Sequence, residues 1–450
     1  MQGFEIVMIF PIITIALIAL FFIYYIKVTR PRAGTAEWIT RAIDTPRFEF
    51  KRYPLERRDI LPMIILTVAF AGLAVFAGPY FSKFGWLPPL DIVYNFPAWF
   101  ISSSEPIYEM LFPNEQLLAS IISVAILPVF YCLMKNMFGK TAVAVCGTLL
   151  LGFEFVRLVF IDSLSAFFIL LSYYFIYRYI TTREEAAFKT SLFPFMISGV
   201  FFGLAVTSGW EALVSGIGLL AIYAIHLIIL GCRWGETERS STFGRYLVKT
   251  LLFGILSFVV IPAVIYVSAY IIVYNMLLDR FSAYNYYVED AFRTLQSTIA
   301  FHYRWQEHNV VIQQHNLIDA LIRNPFVLLG GVLATITTAV RSIKFRDFRA
   351  LFVLVGAVSI SLLWMFNSRT IFLYHHFISV IFFSLALTYV INMIFERGQK
   401  RFKQASYGFV IATGVVFAIF YPALTEFDVP EWYFRYFIHW FPNWLPYWPF

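Results

Sequence analysis

Charge is what this chain has least of. Asp, Glu, Lys and Arg make up 14% of its 450 residues, where a soluble domain carries about 25%. Their place is taken by 60% hydrophobic residues, and the mean hydropathy is +0.73. This excludes a water-soluble enzyme and leaves an all-α, polytopic transmembrane bundle. Cysteine is nearly missing as well. Only Cys132, Cys146 and Cys232 occur, in or at the ends of apolar runs, which excludes a disulfide framework and any metal-ligand spacing. Gly/Ser linkers, low-complexity tracts and internal repeats are also lacking, so nothing marks off a detachable soluble domain. A single integral-membrane domain over 1–450 is predicted, since a bilayer lets one helical bundle absorb a chain that would form several domains in water.

What the chain has in abundance is apolar runs. They lie at about 8–26, 60–80, 117–134, 141–155, 160–177, 193–207, 211–230, 250–276, 325–340, 350–366, 370–394 and 406–422, which gives 11–12 spans. The pair at 141–155 and 160–177 is short and reads as tilted or partly re-entrant. The first run has no basic region before it and no small-residue cleavage site after it, so it reads as a retained helix and not a signal peptide.

The basic residues orient these spans. If the first helix runs inward, the segments 27–58, 135–140, 178–189, 233–249, 341–349 and 397–403 face the cytoplasm and hold 26 of the 34 Lys and Arg. Only Lys83, Arg157, Arg280, Arg293, Arg304, Arg323, Arg369 and Arg435 fall on the other side. The net charge of +7 is thereby topological and not a nucleic-acid footprint. Three outward segments are long, at about 81–116, 277–324 and 423–450, whereas the inward loops are short apart from the basic 27–58. Chemistry is expected on the outer face.

Asp91 follows an apolar run in the first outer loop. A carboxylate there needs a partner or a task; its plain reading is a helix cap or a pair with Lys83. Glu154-Phe-Val-Arg157-Leu-Val-Phe-Ile-Asp162 crowds three charges at the junction of two short runs. These either pair among themselves or face a cavity. In Asn367-Ser-Arg369-Thr-Ile-Phe-Leu-Tyr374-His375-His376, adjacent histidines point about 100° apart on a helix, which argues against a shared metal. An Arg at the membrane surface with a His below it suits a phosphate, and equally fits a snorkelling Arg above packed rings. His302-Tyr-Arg-Trp-Gln-Glu-His308 and the tryptophans at 432, 440, 444 and 448 read as an aromatic belt. A transporter would carry midplane charges and inverted repeats, and neither is seen.

These residues together resemble one family, the protein O-mannosyltransferases, and particularly their bacterial relatives. Arg157-Leu-Val-Phe-Ile-Asp162 is similar to the family's Arg-x-x-x-x-Asp segment, and Gly203-Leu-Ala-Val-Thr-Ser-Gly-Trp210 to its Gly-Leu-Ala…Lys-Trp turn. Ser368-Arg-Thr-Ile-Phe-Leu-Tyr-His resembles its Arg and Tyr-His helix start, and Phe420-Tyr-Pro-Ala-Leu with Val429-Pro its C-terminal end. In the first outer loop Asp91 and Tyr94 match the family's Asp-Glu and Tyr-His, but Ile92 stands for Glu and Asn95 for His. Tyr108-Glu109 matches a Tyr-Glu, but Phe112 stands for a later His, the Gly-Lys is missing, and Gly209 stands for the Lys before Trp.

The resemblance implies a C-type membrane glycosyltransferase that uses a polyprenyl- or dolichyl-phosphate sugar, mannose first, and a Ser/Thr hydroxyl of a protein acceptor on the extracytoplasmic face. It implies Asp91 as the base and Arg369, Tyr374 and His375 as holders of the donor phosphate. Tyr94, Glu109, Arg157 and Asp162 would support them, with no metal and no cofactor, because the lipid-linked sugar is itself a substrate. The membrane would be the plasma membrane in a prokaryote and the endoplasmic reticulum in a eukaryote. A homo- or hetero-dimer is compatible with it. The substitutions at 92, 95, 112 and 209 keep a second reading open, that of an altered or inactive member serving as a scaffold or partner subunit.

Overall fold

The computed structural model describes residues 50–82, 115–155, 163–183, 188–208, 212–235, 240–268, 325–366, 377–424 and 431–433. Every regular element among them is helical: α1 (Arg57–Ser82), α2 (Glu115–Phe138), α3 (Thr141–Phe155), α4 (Ser163–Arg183), α5 (Phe188–Ser208), α6 (Ala212–Gly235), α7 (Ser240–Ile255), α8 (Pro325–Phe345), α9 (Phe348–Phe366), α10 (Phe377–Glu396), α11 (Lys400–Leu424) and the single turn α12 (Glu431–Tyr433). After a π-turn at Leu256–Val260, α7 continues as one apolar helix to Ser268. Six described helices are long and apolar enough to cross a membrane, and four shorter apolar helices pack among them. Eleven of the twelve expected runs thus correspond to helices; the run at 8–26 lies outside the described residues.

Two boundaries differ instructively from the hydropathy reading. The run expected to end near 177 continues as α4 to Arg183 and is a full span. Arg178 stacks 5.8 Å from the Tyr174 ring and 5.9 Å from Phe175, so a charged residue extends the helix instead of ending it. Similarly, α7 begins at Ser240, ahead of the apolar run, and carries exposed Arg245 and Lys249 on its first turns.

Hydrogen bonds bring one set of helix ends together. Residues 50–56, which are not helical, form a strap across them. Arg52 Nη1 donates to Thr182 Oγ1 (2.7 Å), Tyr177 OH to the Lys51 carbonyl (2.7 Å), and the Tyr53 amide to the Asn136 carbonyl (3.0 Å). Phe50 sits edge-on between His226 of α6 and Phe348 of α9, at centroid distances of 5.1 and 4.6 Å. The ends of α2, α4 and α6 and the starts of α1, α3 and α9 therefore share one end of the bundle, called here the strap end. The opposite end is the far end.

Within the bundle α10 is the axis. It is packed against α3, α8, α9 and α11, and 94% of its apolar window is buried, against 17% for α7 at the periphery. Glycines permit this closeness: Gly147 of α3 lies against Thr388, and Gly356 of α9 against Phe382. Tyr173 fills the space between Phe352 and Phe382, and its hydroxyl donates to the Ser215 carbonyl (3.1 Å). Helices α4 and α5 are joined by a reciprocal pair, Ser172 Oγ to the Ser198 carbonyl (2.9 Å) and Ser198 Oγ to the Ser172 carbonyl (2.8 Å). Outside, Ile60, Leu61, Ile64, Ile65 and Val68 of α1 and Val248, Leu251, Leu252, Ile255 and Val259 of the α7 helix are exposed on one face each, the inverse of a water-soluble helix and the expectation for contact with lipid.

Two glycines separate conformational strain from packing. Gly139 (φ +73°) and Gly398 (φ +76°) both adopt the left-handed region after a helix. A Cβ at Gly139 would meet the Tyr53 ring at 2.7 Å, whereas one at Gly398 would meet nothing within 4 Å. Gly398→Ala is expected to lose only the backbone term of about 1–2 kcal/mol. Gly139→Ala should lose that and roughly 1–3 kcal/mol more as the strap is displaced. Thermal unfolding of the two variants in detergent measures the difference.

Candidate functional site

The catalytic and phosphate-binding candidates Asp91, Arg369, Tyr374 and His375 lie outside the described residues, as do the supporting Tyr94, Glu109, Arg157 and Asp162. The structure does describe the helix ends that these segments join. The segment containing Asp91, Tyr94 and Glu109 runs from the end of α1 to the start of α2; Arg157 and Asp162 lie between α3 and α4; Arg369, Tyr374 and His375 lie between α9 and α10. Since α1, α3 and α9 run away from the strap while α2, α4 and α10 run back towards it, all three segments join the far end. Helices α3, α4 and α9 all touch α10, so the second and third segments spring from one packed group.

The described member of the crowded 154–162 cluster is Glu154, which is 3% exposed in the last turn of α3. Buried hydroxyls accompany it near the far end. Ser165 of α4 and Ser379 of α10 are each 1% exposed, and their Oγ atoms have no hydrogen-bond partner among the described residues. Three buried polar side chains, Glu154, Ser165 and Ser379, thus lie in the far-end turns of α3, α4 and α10.

A second polar concentration, not anticipated from the sequence, occupies the strap end. Lys135 of α2 is fully buried, and its Nζ lies 3.1 Å from Asp59 Oδ2 and 3.4 Å from Glu56 Oε1. Asp59, 1% exposed, also accepts from Thr141 Oγ1 (2.6 Å), the Glu56 amide (2.7 Å) and Tyr131 OH (3.3 Å). Burial alone would raise its carboxyl, but the Thr141 hydroxyl, the Glu56 amide and the Lys135 ammonium outweigh it and hold Asp59 below the ordinary carboxylate value. Beside it, Arg349 bridges Asp347 (3.4 Å) and Glu396 (3.3 Å), Tyr389 OH donates to Asp347 Oδ2 (2.9 Å), Asn392 donates to Glu396 (2.9 Å), and Lys140 donates to Asn392 Oδ1 (3.3 Å). Burial lowers the Lys140 ammonium. Asp59 at the start of an apolar run and Lys135 at the end of another were the only signals in the sequence. These groups satisfy one another and read as structural. Among the described residues no group of three or more His, Cys, Asp and Glu could hold a metal ion, and the three cysteines are separate thiols.

A family model described as dolichyl-phosphate-mannose-protein mannosyltransferase matches residues 84–278. The matched stretch is less than half of the chain. The matched stretch includes Asp91, Tyr94, Glu109, Arg157 and Asp162 and stops before Arg369, so the mannosyltransferase likeness covers the first two of the three far-end segments. No curated protein sequence matches the chain. Among solved structures it is similar to the oligosaccharyltransferase of Archaeoglobus fulgidus in its apo form, at 15% identity and a TM-score of 0.45, over 81% of this chain and 56% of that one. It is also similar to AglB from Archaeoglobus fulgidus in complex with an inhibitory peptide and a dolichol-phosphate, at 12% identity and a TM-score of 0.45, over 95% of this chain and 59% of that one. The chain thus spans less than two thirds of the length of either solved chain.

The strap-end network makes a direct stability prediction. Asp59→Ala leaves Lys135 buried without its nearest carboxylate and should destabilise the protein by about 3–5 kcal/mol. Because the folded carboxyl is held low, its contribution is complete above the unfolded value of about 4 and is lost as pH falls through the lower folded value. The midpoint of thermal unfolding should therefore fall on acidification in the wild type, and Asp59→Asn should flatten that part of the profile.

Proposed function

We propose that this chain is a membrane glycosyltransferase that moves mannose from a polyprenyl- or dolichyl-phosphate donor to a Ser/Thr hydroxyl of a protein, on the extracytoplasmic face. The observation that carries the reading is the mannosyltransferase family match over 84–278, which includes Asp91. Two others support it. The three segments bearing the candidate residues join one end of the bundle, and the described basic residues lie towards the opposite end, as expected if that opposite end faces the cytoplasm.

In the proposed reaction the Asp91 carboxylate takes the proton of the acceptor hydroxyl as its oxygen attacks the anomeric carbon of the sugar. The bond from that carbon to the phosphate oxygen breaks, and the electron pair leaves on the polyprenyl phosphate. Arg369, Tyr374 and His375 stabilise the charge that develops there. Arg157 and Asp162 order the neighbouring loop, and Tyr94 and Glu109 support Asp91. Neither a metal nor a cofactor takes part, because the phosphate is already activated as a leaving group by its ester to the anomeric carbon. The protein resides in the plasma membrane of a prokaryote or the endoplasmic reticulum membrane of a eukaryote.

The residues Ile92, Asn95, Phe112 and Gly209 favour a second reading, a scaffold or partner subunit on the same fold. Transfer by the purified, reconstituted protein from polyprenyl-phosphate mannose to a Ser/Thr-rich peptide decides between the two. The enzyme reading expects transfer by the wild type and its loss by at least a hundredfold in Asp91→Asn, in line with the contribution of a general base, with unfolding unchanged. Activity retained in Asp91→Asn would remove Asp91 from the mechanism; no transfer by the wild type would favour the scaffold. Arg369→Ala should separately abolish the thermal protection given by the lipid-linked donor, and an undiminished shift would count against its role.

A further inference from the structure

Two short connections meet at the strap end of α10, one joining α8 to α9 and the other joining α10 to α11. Arg349 of α9 lies 3.3 Å from Glu396 at the end of α10, and Arg341 Nη2 of α8 reaches Met393 Sδ of α10 (3.6 Å). Lys403 of α11 stands 5.8 Å from the Phe395 ring of α10. Segments 341–349 and 396–403 hold eight Lys and Arg but two carboxylates, Asp347 and Glu396. Both carboxylates are engaged by Arg349, with Tyr389 also on the first and Asn392 on the second.

Five of these cations have no such partner. Among the described residues no carboxylate lies within ion-pair distance of Arg341, Lys344, Lys400, Arg401 or Lys403. Arg341 shows what this leaves undone. Its Cζ lies 4.2 Å above the Phe345 ring, its Nη2 meets a thioether, the Tyr389 hydroxyl stands close by, and its buried Nε has no hydrogen-bond partner among the described residues. A ring face, a sulfur and a hydroxyl orient a guanidinium without neutralising it. Elsewhere at the strap end the charge is answered, Lys135 by Asp59 (3.1 Å) and Arg58 by Glu56 (2.6 Å).

The helix faces show what lies beside these cations. Lys344 follows Val340 by one turn on α8, and Lys400 precedes Ile411 by three turns on α11, so each continues the face of its apolar neighbour. Both faces are exposed on helices of spanning length: Ile336, Val340 and Ile343 on α8, with Ile343 80% exposed, and Ile411 and Val415 on α11. Exposed aliphatic side chains of this kind face hydrocarbon, and the cations at the strap end of the same faces stand where hydrocarbon gives way to headgroups. A soluble anion would be matched by the cations alone; an apolar stripe that ends in unanswered positive charge is matched by an amphiphile. We propose that the strap-end turns of α8 and α11, on either side of the end of α10, form a docking surface for anionic phospholipids. Their phosphates neutralise Arg341 and the neighbouring cations while their chains lie along Ile343 and Ile411. The proposal does not rest on the transferase reading.

The full chain in neutral detergent, titrated with phosphatidylglycerol, phosphatidylcholine, inorganic phosphate or polyglutamate, tests this through thermal unfolding and native mass spectrometry of bound lipid. Phosphatidylglycerol should raise the unfolding temperature and remain bound, and the other three should do neither. Lys344→Gln/Lys400→Gln/Arg401→Gln changes exposed residues alone; it should keep the lipid-free unfolding temperature and lose about fivefold in phosphatidylglycerol affinity for each cation removed. Arg245→Gln/Lys249→Gln on α7, which packs on α5 and α6, should stay within about twofold of wild type, well short of the loss per charge expected at the docking surface. Added salt should weaken the wild type more than the triple variant. An equal response to phosphatidylcholine overturns the proposal, and so does an equal response to phosphate, which assigns the cations to a soluble anion. Protection by polyglutamate in place of the lipid also overturns it and assigns the surface to an acidic protein. The same loss per charge in the α7 variant overturns it in favour of a general attraction to net charge. If the triple variant does not fold, Lys344→Gln compared with Lys249→Gln decides by the same measure. Transfer activity, present or absent in the wild type, leaves each of these outcomes unchanged.

Discussion

Lys135 carries its ammonium to a place without solvent exposure, and the arrangement holds only because Asp59 lies 3.1 Å away with three further donors on its carboxylate. A buried pair of this kind adds little net stability compared with apolar packing, but removing either half leaves an uncompensated charge. Its geometric effect is larger. Asp59 belongs to α1, Lys135 to α2 and Thr141 to α3, so one carboxylate fixes three helix ends. The strap adds α4, α6 and α9, and the Arg349 network adds α10. The strap end is thereby tied by directional polar contacts, whereas the helices towards the far end are held mainly by apolar side chains and small residues. Any chemistry carried by far-end loops is built on a frame whose register is set at the other end of the molecule.

The helices were legible in the sequence because apolar runs of spanning length have few alternatives. The run at 141–155 matches α3 at both ends. Charge was a poorer guide to boundaries. Arg178, stacked on Tyr174 and Phe175, lies inside α4, and Arg245 and Lys249 lie inside α7. Aromatic faces and long aliphatic stems let these side chains belong to a helix while their charge stays at its edge. The strap was not legible. Its contacts join residues such as Arg52 and Thr182, or Asp59 and Lys135, which no local pattern connects, and its segment served the sequence reading only as a count of basic residues.

The candidate site was legible through the order of its residues rather than through any one of them. Arg157 with Asp162, and Arg369 with Tyr374 and His375, are ordinary singly; their sequence order supports the likeness that the family match over 84–278 bears out for the first part. Lysine and arginine counting had set eight cations apart from the rest. All eight lie outside the described residues. Towards the far end, the described helices contribute a buried carboxylate, Glu154, and the buried hydroxyls of Ser165 and Ser379.

The reciprocal serine pair between α4 and α5 bears on how the molecule enters its membrane. Each hydroxyl of Ser172 and Ser198 is used by the backbone of the other helix, so the two helices together present no unsatisfied polar group at that depth. The connection between them is short and lies at the strap end. Such a hairpin can leave the insertion machinery with the Ser172 and Ser198 hydroxyls already paired and wait in lipid for α6, α9 and α10, which supply partners such as the Ser215 carbonyl for Tyr173. Order of synthesis and order of packing can then coincide, and the parts of the bundle that depend on distant partners, the strap with α6 and α9 among them, become the last to close.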